Sequence, residues 1–439
     1  MIPQEVSRVL HTLNDAGHEA FVVGGCVRDI LRGVAPHDWD ITTSALPEET
    51  MALFPHFAIP TGLKHGTVTV LSGDIGCEVT TYRADGDYSD HRRPDGVTFT
   101  RSLREDLARR DFTVNAMAMD ESGQVVDPFG GREDLRAGIL RCVGEPAKRF
   151  AEDALRILRA LRFAATLGFS IEEETERAMF ALKDDLRFIA AERVREEVTK
   201  LLLGHHAEEI LTTFPAVLGV AIPEILPAVG FDQRNCHHCL DVWGHTARAV
   251  GKAPKDSVIR WAMLLHDLGK PHTFTVDEQG VGHFYGHAHK SEAIARDVCR
   301  RLRFDNRSAQ RIITLTAQHD REVALTEKAM TRLLRQLGVE DTVALCQVKR
   351  ADNLAQHPAY HGRQAVLDEA EALIRTVLEQ DACFSLKHLA VDGNDLLALG
   401  LRGKAIGQML EQLLTAVMDG EIPNEKAALL NEIKGKQVL

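Results

Sequence analysis

Short apolar runs punctuated by glycine fill the first third of the chain, and apolar residues recurring every three or four positions fill the rest. Ala20 to Val23 reads as a short buried strand that ends at Gly24-Gly25, and Val27 to Leu31 reads as a helix start. Residues 67–71 and 77–82 read as two strands joined by a Gly-rich turn, with Glu78, Thr80 and Tyr82 on one face of the second. Leu103, Leu107, Phe112, Val114 and Met117 have helical spacing. So do Leu155, Ile157, Leu158, Leu161 and Phe163, in a run that Glu152-Asp-Ala-Leu-Arg156 opens. Residues 83–99, dense in Gly, Asp and Arg and without apolar periodicity, read as a long mobile loop. Strands therefore belong to about the first 140 residues, and the remainder is expected to be almost wholly helical.

At 439 residues the chain exceeds what one core usually supports, so two to four domains are expected. With 44% hydrophobic and 26% charged residues it has the composition of an ordinary soluble globular protein. The net charge of −12 argues against a polybasic nucleic-acid coat but leaves room for a local basic groove. Arginines do cluster, at Arg92, Arg93, Arg101, Arg104, Arg109 and Arg110 and again at Arg141, Arg149, Arg156, Arg159 and Arg162. Eight scattered cysteines and a start without a basic region or apolar core predict reduced thiols and a cytoplasmic setting. The most apolar stretch, residues 214–231, is broken by three prolines, so no membrane segment is expected.

The candidate chemistry begins at Asp38 and Asp40. Two carboxylates one residue apart on an extended segment project from the same side, which makes half of a magnesium cage. Gly24-Gly25 at a helix entry lets backbone amides approach a phosphate, and Arg28 adds a cationic fork. Glu78 has two readings, a third carboxylate on the metal or a surface residue on an edge strand. Arg110 and Asn115 are the polar residues of Arg109-Arg-Asp-Phe-Thr-Val-Asn-Ala-Met117 placed near a nucleotide. At helical spacing, Asp153, Arg156, Arg159 and Arg162 make one polar ridge. An ionised Asp only accepts and Arg only donates, so such an edge matches the exocyclic amine and ring nitrogen of cytosine or adenine and repels uracil and guanine. A plain surface ion pair is the other reading of the same spacing.

The ordered set GGCVRD, DWDITTSA, RRDFTVNAM, EDALRILRALRF and Glu192-Arg-Val-Arg-Glu-Glu197 resembles the bacterial class II CCA-adding tRNA nucleotidyltransferases of the polymerase β-like superfamily. The resemblance runs from about Ala20 to Leu203. It implies that Asp38 and Asp40 bind catalytic Mg²⁺, that Gly25 and Arg28 hold the triphosphate, and that Arg110, Asp153, Arg156, Arg159 and Arg162 contact the incoming base or phosphates. It also implies two-metal phosphoryl transfer from CTP and ATP to the tRNA 3′ end. In that family a flexible loop before the RRD motif accompanies addition of the terminal A.

Downstream, His245, His266-Asp267, His287, His289, His319 and Asp352 form a second constellation. An early His, a His-Asp doublet and a distal Asp resemble the signature of HD-type phosphohydrolases, which implies a divalent metal on His245, His266, Asp267 and Asp352. That site is either hydrolytic or a scaffold that supports tRNA. Cys236-His-His-Cys239 lacks the second cysteine pair of a zinc ribbon or finger and is read as a turn. Residues 389–417 are read either as an RNA-gripping turn and helix or as a packed helix hairpin.

The expected fold is an α/β N-terminal nucleotidyltransferase head, a small mixed sheet with helices, followed by a mostly α-helical neck, HD-type body and tail. The boundaries fall at 1–140, 141–235, 236–355 and 356–439. Rival readings are a poly(A) polymerase or A-adding enzyme of the same superfamily, and, from another class, an HD-type metal-dependent phosphohydrolase. A noncatalytic RNA-binding protein is disfavoured by the intact acids and arginines of the head.

Overall fold

The computed structural model describes residues 2–85, 97–237, 239–322, 324–380 and 383–437. They divide into two compact units, Met1–Leu226 and Pro227–Leu439. After helix Gln4–Asp15, and with helices interleaved, the first unit carries strands β1 (Ala20–Val23), β2 (Trp39–Thr43), β3 (Ala58–Gly62), β4 (Thr67–Ser72), β5 (Ile75–Thr81), β6 (Arg83–Asp85), β7 (Val97–Phe99), β8 (Ala118–Met119) and β9 (Val125–Val126). One seven-stranded sheet has the order β3-β4-β5-β2-β1-β8-β9. Its β2 and β5 run parallel, whereas β1 is antiparallel to β2 and β8. Alternation decides which face is covered. Val22, Ile41, Val68, Val70, Cys77 and Val79 join Val6, Val9, Leu10 and Leu13 of helix Gln4–Asp15 in one core. The opposite face carries the polar residues of β2 and β5.

Four sequence expectations change. The helix predicted through Met117 ends at Ala108, because the backbone that follows pairs with another segment. Thr113 donates its amide to the Arg141 carbonyl and Val143 donates to Asp111. Phe112, Val114 and Met117 are fully buried all the same, so their spacing reported burial and not helix. The run from Glu152 is also not continuous: helix Pro146–Glu152 stops, Asp153 is extended at φ −143° and ψ 102°, and helix Leu155–Leu167 begins anew. Asp153 Oδ1 accepts the Leu155 amide at 3.0 Å and so occupies the start of the second helix, the position that suits Asp. The predicted loop 83–99 has paired ends, with Arg83 opposite Phe99 in the β6–β7 hairpin. Residues 86–96, including Arg92 and Arg93, lie outside the described residues, as does what that loop implies for adding the last nucleotide. Tyr82 lies beyond the end of β5 and is fully buried, so it does not share the open face with Glu78.

In the second unit, helices Val242–Lys252, Ser257–Leu265, His287–Arg301, Asn306–Gln318 and Glu327–Ala355 surround a buried interior that includes Trp261, Met263 and Leu315. The longest bends where Gly338 takes φ 77°. The tail helices Gly393–Ala398, Lys404–Met418 and Lys426–Gln437 close around Leu396, Leu413, Leu414, Leu429 and Ile433. Among the described residues no helix is long and apolar enough to cross a membrane.

Candidate functional site

Asp40 stands on β2 directly opposite Glu78 of β5, and in a parallel pair such residues share a face. Asp38 is exposed just before β2, Asp40 is half-buried and Glu78 is exposed. Burial raises the Asp40 pKa, Glu78 and Asp38 raise it further, and Arg110 opposes them. Asp38 and Glu78 thus bring negative charge to Asp40, with the Arg110 guanidinium beside it. Gly24 makes the approach possible. Its φ of 81° is left-handed, and a Cβ there would lie 3.0 Å from Arg110 Nη1 and 3.6 Å from Asp40 Oδ2. Gly25 opens the helix Gly25–Leu31, and a Cβ on it would meet Arg28 Nη2 at 3.6 Å.

Arginines form the second part of the site. Buried Arg28 donates from Nη1 to Asn115 Oδ1 at 2.8 Å and pairs with Asp29. Asn115 in turn donates to Asp111 Oδ1 at 3.2 Å. Asp111 Oδ2 takes Arg159 Nε at 2.8 Å, and Glu197 lies 3.1 Å from Arg162 Nε. Burial alone would raise Asp111, but Arg159, Arg156 and Asn115 outweigh it and bring it down to about 2. Three guanidinium groups surround the Phe163 ring, Arg162 at 4.1 Å, Arg28 at 5.3 Å and Arg159 at 5.4 Å from its centroid. Burial and neighbouring Arg159 push Arg162 down to about 10. Arg110 Nε and Arg162 Nε are buried without a hydrogen bond among the described residues. A cluster that gathers this many guanidinium groups, two of them with an Nε left without a hydrogen bond, is suited to a polyanion, and the acids beside it are suited to the divalent cations that accompany one.

The predicted single ridge is not formed. Asp153 precedes the helix and receives Arg193 Nη2 at 2.8 Å. Arg156 turns inward, where Nη1 reaches Glu152 at 2.7 Å and the Arg149 carbonyl at 3.0 Å while Nη2 reaches the Arg109 carbonyl at 2.9 Å. Arg159 and Arg162 do join the arginine cluster around Phe163. Sequence reasoning passed over Asp106, Asp111, Phe163, Arg193 and Glu197. Asp111, Arg193 and Glu197 stood inside quoted motifs, and their signal was the surplus of arginine requiring buried acids. Asp106 is fully buried, accepts from Thr42 and Arg109, and holds Arg110 at 3.7 Å.

The histidine constellation assembles in the second unit from five helices. His245 Nε2 lies 2.9 Å from Asp352 Oδ1, 3.4 Å from His266 Nε2 and 3.5 Å from Asp267 Oδ2. His266 Nε2 lies 3.2 Å from the same Asp267 oxygen. On the other side of that carboxylate, Asp267 Oδ1 faces His287 Nε2 at 3.5 Å and His319 Nε2 at 3.6 Å. Gly269 lets helix His287–Arg301 come this close, since a Cβ on it would fall 2.2 Å from the His287 carbonyl oxygen. His289 is excluded from the cluster, with its ring exposed beside Glu292. Lys270 Nζ approaches Asp267 Oδ2 at 2.7 Å. Although burial disfavours a charged His266, Asp267 and Asp352 push it up to about 10. These two acids demand positive charge.

A profile described as the Poly A polymerase head domain matches residues 20–141. One described as a probable RNA and SrmB-binding site of polymerase A matches 168–213, and a putative tRNA nucleotidyltransferase domain 2 matches 273–433. The CCA-adding enzyme of Leuconostoc mesenteroides is 35% identical over 434 residues, covering 98% of this chain and 96% of its own length. That of Geobacillus stearothermophilus is 36% identical over 428 residues, covering 96% of this chain and 94% of its own. The crystal structure of Bacillus stearothermophilus CCA-adding enzyme in complex with CTP superposes with a TM-score of 0.74 at 33% identity, covering 100% of this chain and 98% of that one.

Proposed function

From the premise that this chain belongs to the family of CCA-adding enzymes, we propose that its head works as follows. The enzyme is a nucleotidyltransferase that adds C, C and A to tRNA 3′ ends from CTP and ATP. The pairing of Asp40 with Glu78 across β2 and β5, with the charges of Asp38 and Arg110 acting on Asp40, is the observation that carries the reading. Enzymes of this family use divalent metal ions, and Mg²⁺ is the ion assigned here, with Asp38 and Asp40 as ligands and Glu78 flanking them. Bound there, it supplies charge neutralisation at the α-phosphate and lowers the pKa of the attacking 3′-hydroxyl.

The chain's own residues do the positioning. Gly24 and Gly25 leave room for a phosphate against the backbone. Arg28, Arg159 and Arg162 offset the triphosphate charge, with Asn115 and Phe163 fixing the Arg28 fork. Arg110, beside Asp40 and Gly24, offsets the negative charge that builds up as the phosphoryl group passes to the 3′ oxygen. Asp153 and Arg156 read the base, Asp153 by accepting from the exocyclic amine of C or A. To do so, Arg156 exchanges one of its carbonyl partners for the ring nitrogen. Residues 1–140, 141–235, 236–355 and 356–439 serve as head, neck, body and tail, in a cytoplasmic setting that the eight free thiols support.

A second reading concerns the body. The Nε2 atoms of His245 and His266 lie 2.9–3.7 Å from carboxylate oxygens of Asp267 and Asp352. Two ligands about 2.1 Å from one ion, at roughly tetrahedral or octahedral angles, lie about 3.0–3.4 Å from each other. The spacing fits a divalent cation in an HD-type site.

The deciding assay offers tRNA lacking its 3′ end labelled CTP, ATP, UTP or GTP, singly and together. Ordered incorporation of C, C and A that then stops is expected. Long A tracts, or A added only after a pre-existing CC, would overturn it in favour of the related polymerases.

A further inference from the structure

Four residues lie in one line across the open face of the head's sheet. Asp40 of β2 is paired with Glu78 of β5, Glu78 with Thr69 of β4, and Thr69 with Ile59 of β3. Residues directly opposite one another in a sheet share a face, so the acids continue without interruption into Thr69 and Ile59. The next row runs from Gly76 to Leu71, whose amide donates to the Phe57 carbonyl. Gly76 carries no side chain, and a Cβ there would meet Leu71 Cδ2 and Thr69 Cγ2, each at 3.7 Å, so both side chains lean over β5. Val68, Val70 and Val79 point the other way, into the core. What the core does not claim stays exposed: Ile59 by 46%, Leu71 by 42% and Phe57 by 57%. β3 is the outermost strand of the sheet. Exposed apolar side chains at a sheet edge invite association, and a patch of them calls for an occupant.

The geometry of the transfer says what that occupant is. In-line displacement places the attacking oxygen and the departing pyrophosphate on opposite sides of the transferred phosphorus. Gly24, Gly25 and Arg28, which hold the triphosphate, follow β1, and β1 flanks β2 on the side away from β5. The 3′-hydroxyl then approaches from the Glu78 side, and the nucleotides behind it run out over β4 and β3.

Resting on the reading of the head as the nucleotidyltransferase, we propose that Ile59, Thr69 and Leu71 form an acceptor track, a sequence-tolerant apolar surface under the nucleotides that precede the 3′-terminal one of the tRNA. Two strand spacings, about 10 Å, separate β5 from β3, and bases spaced about 3.4 Å apart fit two or three into that length. Apolar side chains meet the face of any base alike, whereas reading a base needs hydrogen bonds to its edge. The Thr61 and Thr69 hydroxyls, 2.9 Å apart, bond to each other and leave one proton for a phosphate or a 2′-hydroxyl. Such a surface suits an acceptor whose end changes at every step, from the tRNA's own last base to C and then to CC. Selection falls on the incoming nucleotide alone.

The test binds truncated tRNA, with 4-thiouridine as its second-last nucleotide, to the full chain without nucleoside triphosphate and irradiates it. We expect the label on peptides from residues 57–76, and a label confined to other peptides would overturn the track. Ile59→Ser with Leu71→Ser changes two exposed side chains. The KM for truncated tRNA should rise about tenfold, the lower end of what a stacked base contributes. The KM for CTP should stay within about twofold, and the rise for tRNA should be the same whichever base ends the acceptor. An unchanged KM for tRNA, or an equal rise in both constants, would overturn the track, and a rise confined to one terminal base would overturn its sequence tolerance. The cross-link on the unsubstituted chain decides the matter should the variant misfold. An unsubstituted chain that adds no C to truncated tRNA would overturn the nucleotidyltransferase reading itself, whereas normal addition by both chains would dispose of the track alone.

Discussion

The acid site of the head and the histidine cluster of the body organise charge in opposite ways. In the head, Asp38 and Glu78 are exposed, and the repulsion among three acids is relieved by one arginine. In the body, His245, His266 and Asp267 are fully buried, and three of the rings are oriented by backbone carbonyls. An open site leaves coordination positions for a nucleotide and a 3′ end, so its substrates complete it. A closed site is finished before anything arrives. The acids of the head are thus offset by one arginine from outside, whereas those of the body are met by imidazoles within the cluster.

The strongest way to break that comparison is Asp40→Ala. Losing several kcal/mol of charge stabilisation corresponds to about a 10³-fold fall in CMP and AMP incorporation. Labelled CTP and a truncated tRNA measure it. If the two sites are independent, metal content of the histidine cluster stays as in the parent. A loss of both together would mean that one charge system spans the chain.

How differently the two sites could be read from sequence follows from the same contrast. Asp40 stands on β2 whereas Asp38 lies in the bend before it, so strand alternation does not reach both acids, while Gly24-Gly25 and Arg28 follow one local turn. The pairing of Asp40 with Glu78 needed the order of β2 and β5, which local pattern leaves open; hence the two readings of Glu78. His245 and Asp352 are 107 positions apart in sequence, and only resemblance to a known signature joined them. His287 and His319 were named but not assigned, since nothing in the spacing tells which imidazole turns inward. The broken helix at Asp153 was hidden for a simpler reason: an Asp that caps a helix and an Asp within its first turn leave the same apolar pattern around them.

Arg28→Ala sharpens the comparison from the cationic side. Arg28 hydrogen-bonds Asn115 and flanks Phe163, and hydrogen bonds to charged groups contribute about 1.5–3 kcal/mol. The KM for CTP should rise about 10- to 100-fold, with kcat changing less, as steady-state kinetics on truncated tRNA would report. Equal loss in kcat alone would assign Arg28 to the transferring phosphate instead of to triphosphate binding.

Asp111→Asn tests whether the head's arginines need a buried counter-charge even without substrate. The folded Asp111 titrates near 2, below the ordinary 3.8. Its contribution is thus present above the unfolded value and is lost as pH falls through the folded one. The difference amounts to about 2 kcal/mol. Chemical denaturation at pH 7 should show the variant less stable by that order, with the gap closing between pH 4 and pH 2. A gap that persists at pH 2 would show packing, not charge, to be the cause.

The smallest expected effect belongs to Asp153→Asn, and it separates base reading from architecture. Asp153 Oδ1 already accepts from the Leu155 amide and Arg193 Nη1, and Oδ2 from Arg193 Nη2, so Oδ2 keeps one further lone pair for a base amine. An amide in its place presents both a donor and an acceptor, which removes the repulsion toward the carbonyl of uracil or guanine. Incorporation of UMP relative to CMP should rise about tenfold, in the range that a single polar contact provides when its partner is not lost outright. Arg193→Ala keeps the carboxylate but frees its Oδ2. If Asp153 reads the base, that variant retains the preference for C and A while binding both more weakly. Were Arg193→Ala instead to relax selectivity as much as Asp153→Asn does, the ion pair would be holding the helix junction in register, and discrimination would have to lie with Arg156 and its neighbours.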